Sequence, residues 1–263
     1  MRADEIARRV ERERLSHTEN DVLAANRKLR SKFAHIDRYP SKRRLYRVVE
    51  DYVRDLSGKV ILDYGCGTGD SMVKYLGAHA EKVYGMDISD KYIAICRKLC
   101  LERAFPPERY DLRVMDAHDL QYPAGTFDCI VGLGILHHLD ARVALDSLYR
   151  ALKTGGRALF VEPLADNPLL RLFRLLTPSA RTKDEKPFTG RDIRELFPAS
   201  RWVAQISCAG ILEAPTSVVT SFLMPANADN FLLRSADRLE SWINRKRILP
   251  SWNQIVLFDL TKK

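Results

Sequence analysis

The sequence predicts a doubly wound α/β fold built on a mostly parallel sheet. Short apolar runs alternate with helical segments from residue 59 onward. The first run, Val60 to Leu62, leads into Asp63-Tyr64-Gly65-Cys66-Gly67-Thr68-Gly69-Asp70, where three glycines at alternate positions allow a tight turn and close backbone approach to a ligand. Two later runs end in acidic residues, Asp87 and Asp116. A chain of 263 residues is long enough to bury the core of one elaborated domain.

Residues 1–56 hold no strand-like run and read as an N-terminal helical extension or lid. Val22, Leu23, Leu29 and Phe33 form one apolar stripe, and a second helix is expected around Leu45 to Leu56. Between them Pro40 interrupts, and Arg38, Lys42, Arg43 and Arg44 cluster near Tyr39 and Tyr46. That cluster is either a solvated basic loop or a lid in which Tyr39, Arg43 and Tyr46 meet a substrate.

Residues 57–263 make the second unit. After the glycine loop a helix covers Met72 to Leu76. Lys82 to Asp87 is a second strand, and Ser89 caps a helix running to about Arg103. The third strand ends at Asp116 and the fourth spans Phe127 to Gly134. Asp140 caps a helix that buries Val143, Leu145, Leu148, Tyr149 and Leu152, and Gly155 and Gly156 end it before a fifth strand, Arg157 to Glu162. An apolar helix (Leu169 to Leu176) follows, then a polar loop from Thr182 to Lys186 and a helix beginning after Thr189. Strands at Trp202 to Ile211 and Gln254 to Leu260 enclose a helix at about Asn230 to Arg245. Residues 163–200 and 212–250 read as lid or substrate-binding insertions.

A net charge of +9 and a pI near 9.4 suit anionic partners or a solvated basic face. Five scattered cysteines do not make a disulfide framework. The Arg-rich N-terminus carries Asp4, Glu5, Glu11 and Glu13 and no apolar core of a leader, and no stretch has the apolar length of a membrane span, so a cytoplasmic location is expected.

The glycine spacing is G-x-G-x-G, flanked by Asp63 and Asp70. Two carboxylates would repel a dinucleotide's pyrophosphate and suit a ligand with ammonium and sulfonium charges, which points to S-adenosylmethionine. Asp87 is placed to accept from both ribose hydroxyls, Asp116 from the adenine amino group, and the Ala117 N–H to reach a ring nitrogen. A lone aspartate at a strand end is commonly a cap. Three in consecutive βα units fall along one sheet edge.

The segments LDYGCGTGD, GMDIS, VMDAHDL, YPAGTFDCIVGLGILHHL and LKTGGRALFVEP, between Val60 and Pro163, resemble the class I S-adenosylmethionine-dependent methyltransferases, in particular the type 11 group that includes ubiquinone-pathway enzymes. The resemblance implies a Rossmann-like seven-stranded sheet whose last strand is antiparallel. It places Asp63, Gly65, Cys66 and Gly67 at the methionine part of the cofactor and Asp87 and Ile88 at the ribose. Met115, Asp116 and Ala117 would frame adenine, and Leu133 and Gly134 would turn carbonyls toward the ammonium group.

Methyl transfer is an in-line displacement, so positioning carries much of the catalysis, and some acceptors also need a base. Glu162 is the first candidate, with His137 and His138 beside it, although a histidine in this setting commonly packs or caps. Cys96 and Cys100 lie i, i+4 on a helix like half a metal site, but no second pair accompanies them, so no metal ligand set is assigned. Arg171 and Arg174 within an apolar helix fit either membrane-surface contact or, more simply, a lid over a hydrophobic substrate.

The fourth strand is not followed by an Asn-Pro-Pro-Tyr-like motif, and Cys129 has no neighbouring proline of a cytosine-attacking nucleophile. A small-molecule acceptor is expected rather than nucleic acid. Residues 162–188 resemble natural-product methyltransferases, including some acting on a prenyl or terpenoid carbon. Leu169 to Leu176, Trp202 and Val218 to Met224 would line an apolar pocket. The cluster around Arg43 would hold a diphosphate, and magnesium is expected only with such a substrate. O-methylation of a phenol or alcohol, an RNA methyltransferase and a non-methylating cofactor-binding protein are the alternatives. The N-terminal helices are a candidate homo-oligomer contact.

Overall fold

The computed structural model describes residues 3–18, 31–177 and 185–263. Val22, Leu23 and Leu29 of the proposed stripe, and residues 182–184 of the polar loop, lie outside the described residues.

Seven strands form one sheet in the order β3-β2-β1-β4-β5-β7-β6. They are β1 (Val60–Tyr64), β2 (Lys82–Asp87), β3 (Tyr110–Val114), β4 (Phe127–Leu133), β5 (Leu152–Pro163), β6 (Trp202–Ala209) and β7 (Ile255–Lys262). β1 pairs in parallel with β2 and β4, whereas β7 runs antiparallel between β5 and β6. Alternate residues enter two separate cores. Ile61, Cys129, Leu159 and Leu257 share one, and Leu62, Ile130, Phe160 and Phe258 share the other. Both faces are therefore covered, which is why the strands read as continuous apolar runs.

The α-helices among the described residues are α1 (Ala3–Thr18), α2 (Pro40–Tyr52), α3 (Asp70–Gly77), α4 (Asp90–Glu102), α5 (Ala141–Ala151), α6 (Pro168–Leu176), α7 (Gly190–Leu196), α8 (Glu213–Leu223) and α9 (Phe231–Arg245). Ser89, Asp140 and Asn230 cap α4, α5 and α9, and Thr189 forms a capping box on α7. No helix among the described residues is long and apolar enough to cross a membrane.

Four expectations need correction. Pro40 does not interrupt a helix but opens α2 at its first position, where the missing N–H costs nothing. Gly155 and Gly156 do not end α5, which stops at Ala151, and the chain enters β5 at Leu152 through a register shift opposite Phe127 and Cys129. Asp116 lies in the loop beyond β3, which ends at Val114. The stretch Val218 to Met224, expected only as part of a pocket wall, belongs to the second half and cap of α8, whose proline, threonines and valines mask its helical period.

The basic cluster is structural. Tyr39 is fully buried, its hydroxyl donates to Gln254 Oε1 (2.5 Å), and its ring lies against Gly210, where a Cβ would collide with it. Trp202 opens β6 and packs edge-on against Tyr149, 5.2 Å between centroids. The N-terminal extension and the 212–250 insertion meet at Glu240 of α9, which is fully buried and accepts from Ser41 Oγ (2.6 Å), Gly210 N (2.7 Å), Leu212 N and Glu213 N (both 3.0 Å).

Candidate functional site

The parallel strands place their C-terminal ends along one edge, where loops leave a cavity of about 360 Å³. The glycine loop shapes its floor. Gly65 N and Cys66 N donate to Met86 O (3.0 and 2.9 Å), and Gly67 N donates to Asp87 Oδ2 (3.0 Å). Gly69 has φ +97°, and a Cβ there would meet Cys96 Sγ at 2.7 Å, so only glycine lets α4 approach this closely. Cys96 and Cys100 are buried and free, packing under the loop.

Asp63 sets the electrostatics. Its side chain is buried, and Oδ2 has no hydrogen-bond partner among the described residues. Burial, reinforced by the nearby Asp87 carboxylate, pushes Asp63 up to about 8. An unpaired buried carboxylate facing a cavity fits a cationic ligand group, and the amino acid end of S-adenosylmethionine supplies one. Asp87 lies one strand over and also accepts from Ser89 N (2.9 Å). Asp116 Oδ1 accepts from His118 N (2.9 Å) and lies 2.8 Å from His118 Nδ1. Asp140 N donates to His118 Nε2 (2.9 Å), so the His118 proton sits on Nδ1 and points at Asp116. Partial burial opposes ionisation of Asp116, yet these hydrogen bonds win and hold it below the usual carboxylate value.

Asp63, Gly65, Cys66, Gly67, Asp87 and Ile88 all line the cavity. So do Asp116, Ala117, Leu133 and Gly134. Met115 is different: it is buried in the core beside Leu62 and Met86.

Glu162 does not reach the cavity. It is fully buried, and its carboxylate accepts from Ile135 N (3.1 Å), Leu136 N (2.9 Å) and His137 N (3.3 Å), with His137 Nδ1 2.7 Å away. It shapes the turn after β4 and orients His137, where a base in contact with substrate was expected. His138 does line the cavity, with Nδ1 3.3 Å from Glu13 Oε2. His137, His138 and Glu185 each bring one ligand atom within 4.8 Å of the others.

The expected substrate residues are elsewhere. Tyr39 is in the core, Tyr46 packs against the same core, and Arg43 stays exposed on α2. Trp202 lies at the start of a strand parallel to β5, hence at the sheet edge opposite the cavity. Within the expected N-terminal extension, it is α1 that reaches the cavity. Val10 and Glu13 line the cavity, and Arg9 donates to the carbonyls of His137 and Leu139 (3.2 Å each). Nothing in the sequence marks these α1 residues. His118 was discoverable, because a histidine two residues after Asp116 can close back on it.

When bound, S-adenosylmethionine supplies an electrophilic methyl on a sulfonium. Of the residues lining the cavity, Asp63 would face the cofactor's ammonium group and Asp87 and Asp116 its sugar and base, with Val10 and Glu13 of α1 also on the cavity wall.

Residues 61–156 match a family model described as a methyltransferase domain. An O-methyltransferase of Penicillium expansum is 27% identical over 74% of this chain and 78% of its own length. A tRNA (carboxymethyluridine(34)-5-O)-methyltransferase of Xenopus tropicalis is 34% identical over 42% of this chain, which spans only 17% of that relative. Among solved structures, geranyl diphosphate C-methyltransferase from Streptomyces coelicolor aligns over 82% of this chain and 76% of its own, with TM-score 0.59 and 15% identity. Residues 61–156 thus carry a methyltransferase domain, and the carboxylate-lined glycine loop and sheet order around it are those of the class I S-adenosylmethionine-dependent methyltransferases.

Proposed function

We propose that the chain methylates a small organic acceptor with an apolar body, at oxygen or carbon. The observation that carries this reading is the cover: α1 seats Val10 and Glu13 on the cavity wall and ties itself to the turn after β4 through Arg9. A cavity closed in this way suits a compact acceptor better than a polynucleotide. The similarity to an O-methyltransferase over most of both chains supports it.

The acceptor enters beside His138, which removes a proton where the chemistry demands one, while Glu162 holds His137 and the turn in place. A second cavity of about 560 Å³ is lined by Ala165, Arg171, Arg174, Glu185 and Pro187. Glu185 stands at both places, and with Asp166 and Thr189 also on its wall the second cavity takes a polar or charged end of the acceptor. A prenyl diphosphate remains one acceptor within this class, its anionic end at Arg171 and Arg174 and any magnesium beside it. The Arg43 cluster has no part in that arrangement.

Purified protein incubated with S-adenosylmethionine and, separately, with an organic metabolite extract and total RNA tests the reading. S-adenosylhomocysteine formation with a new methylated mass in the extract is expected. Methyl incorporation into RNA alone would overturn it in favour of the RNA reading. Tight cofactor binding with no transfer to either pool would favour the non-methylating one.

A further inference from the structure

The segment that joins α9 to β7 has the construction of a membrane-binding loop. Residues 245–250, Arg-Lys-Arg-Ile-Leu-Pro, are all exposed, and they are flanked by exposed Trp242 and Trp252. Ile248 and Leu249 are 41% and 48% exposed in a chain whose other tryptophan, Trp202, is buried. Large apolar side chains gain nothing from water, and here five successive features combine: two tryptophans, two aliphatic tips and a run of three cations.

The loop is held in this form. Arg247 and Leu249 have φ of +53° and +47°, a left-handed backbone that non-glycine residues adopt at a cost. Buried asparagines pin its base. Asn253 Nδ2 donates to Pro250 O (3.0 Å) and Asn244 Oδ1 (3.2 Å), and Asn167 Nδ2 donates to Trp252 O (2.8 Å). Arg247 is the left-handed residue that closes α9, its N donating to Asn244 O (3.1 Å) and Ile248 N to Ile243 O (3.2 Å), while the left-handed Leu249 is held in an outward position.

The charges indicate the occupant. Neither Lys246 nor Arg247 has an ion-pair partner among the described residues, and Arg245 bonds only to the Ser241 carbonyl (3.3 Å). α6 starts beside the loop through Asn167, and it exposes Leu169, Leu172, Leu175 and Leu176. Aliphatic tips, tryptophans that favour the headgroup boundary and clustered cations match an anionic bilayer. We infer that the 242–252 loop docks this protein on an anionic lipid surface, with Ile248 and Leu249 inserted and Arg245, Lys246 and Arg247 against the headgroups.

The test is co-sedimentation with vesicles of phosphatidylcholine containing about one third phosphatidylglycerol, against vesicles of phosphatidylcholine alone. Each cation near such a surface contributes roughly fivefold in partitioning, so R245E/K246E/R247E should lose on the order of a hundredfold or more. I248S/L249S should also weaken binding, with the salt dependence retained. Both variants should keep the circular dichroism and melting temperature of the wild type. A measurement on a folded surface guards against misfolding: brominated lipid should quench wild-type tryptophan fluorescence and should not quench the W242F/W252F protein. Equal binding to both vesicle types, or unchanged binding by the charge-reversed variant, would overturn the inference. So would a concentration-dependent dimer that these substitutions abolish while no vesicle binding is seen, since the occupant would then be a second copy of the chain.

Discussion

The ends of β1 and β5 each carry a fully enclosed carboxylate, and the two are built in opposite ways. Glu162 is saturated by three backbone N–H groups and one imidazole. Asp63 keeps one oxygen without a partner among the described residues and is pushed up to about 8 by burial and then by Asp87. A carboxylate with all its donors supplied by the chain is part of the fold. One left short that also lines a cavity, as Asp63 does and the equally short Glu213 does not, fits completion by a ligand.

Substitutions break this contrast in order of size. Glu162→Ala leaves several buried donors unpaired, and a loss of about 4 kcal/mol in urea unfolding is expected, lowering the melting temperature by about 10 °C. Glu162→Gln should fall between that variant and wild type, and retain weak methyl transfer if His138 still meets the acceptor. Asp63→Asn should do the reverse. Cofactor affinity measured by calorimetry falls roughly a hundredfold, the size of a lost charge-assisted pair, while the free protein stays folded.

The pH behaviour sharpens the point. Because the folded-state value of Asp63 is raised to about 8, its contribution to stability is present below about pH 4 and is lost as pH rises toward 8. Asp63→Asn should flatten that decline in the free protein. Glu213, raised to about 7 by burial with Glu240 adding to it, leaves a residual slope. In wild type, binding of the cationic cofactor at pH 7 should release about one proton, visible as a buffer-dependent heat, and affinity should tighten as pH approaches 8. A buffer-independent heat would mean that Asp63 is not the counter-charge.

Smaller effects test the neighbours. Asp87→Ala should weaken cofactor binding about tenfold, because the side chain both faces the cavity and fixes Gly67 N. Arg9→Ala removes two hydrogen bonds from the cover and should raise the cofactor's dissociation rate roughly threefold in stopped flow, with little change in melting temperature.

The cofactor half of this molecule was legible because its chemistry is local. Asp63, Asp87 and Asp116 each end a strand or follow one closely, and strand alternation alone aligns them on one edge. The placement of the N-terminal helices and of residues 212–250 depends on contacts across long separations, such as Arg9 with His137 or Ser41 with Glu240, which no short pattern records. Glu162 shows the limit well. Its position at the end of the fifth strand was read correctly, but whether a carboxylate there faces a cavity or a turn depends on the backbone of residues 135–137. Tyr39 and Trp202 failed similarly, since aromatic residues near cations or in a strand suit a pocket and a core equally.

Glu240 binds α2 and α9 and the turn entering α8, although these segments are some 200 positions apart in the chain. They should therefore exchange their amide protons as one cooperative unit, with a common opening free energy, and not as a graded series of fraying helices. It also means that residues 212–250 are no interchangeable cassette. Grafted onto another sheet of this family without Ser41 and its helix, they would arrive with a buried carboxylate short of a donor.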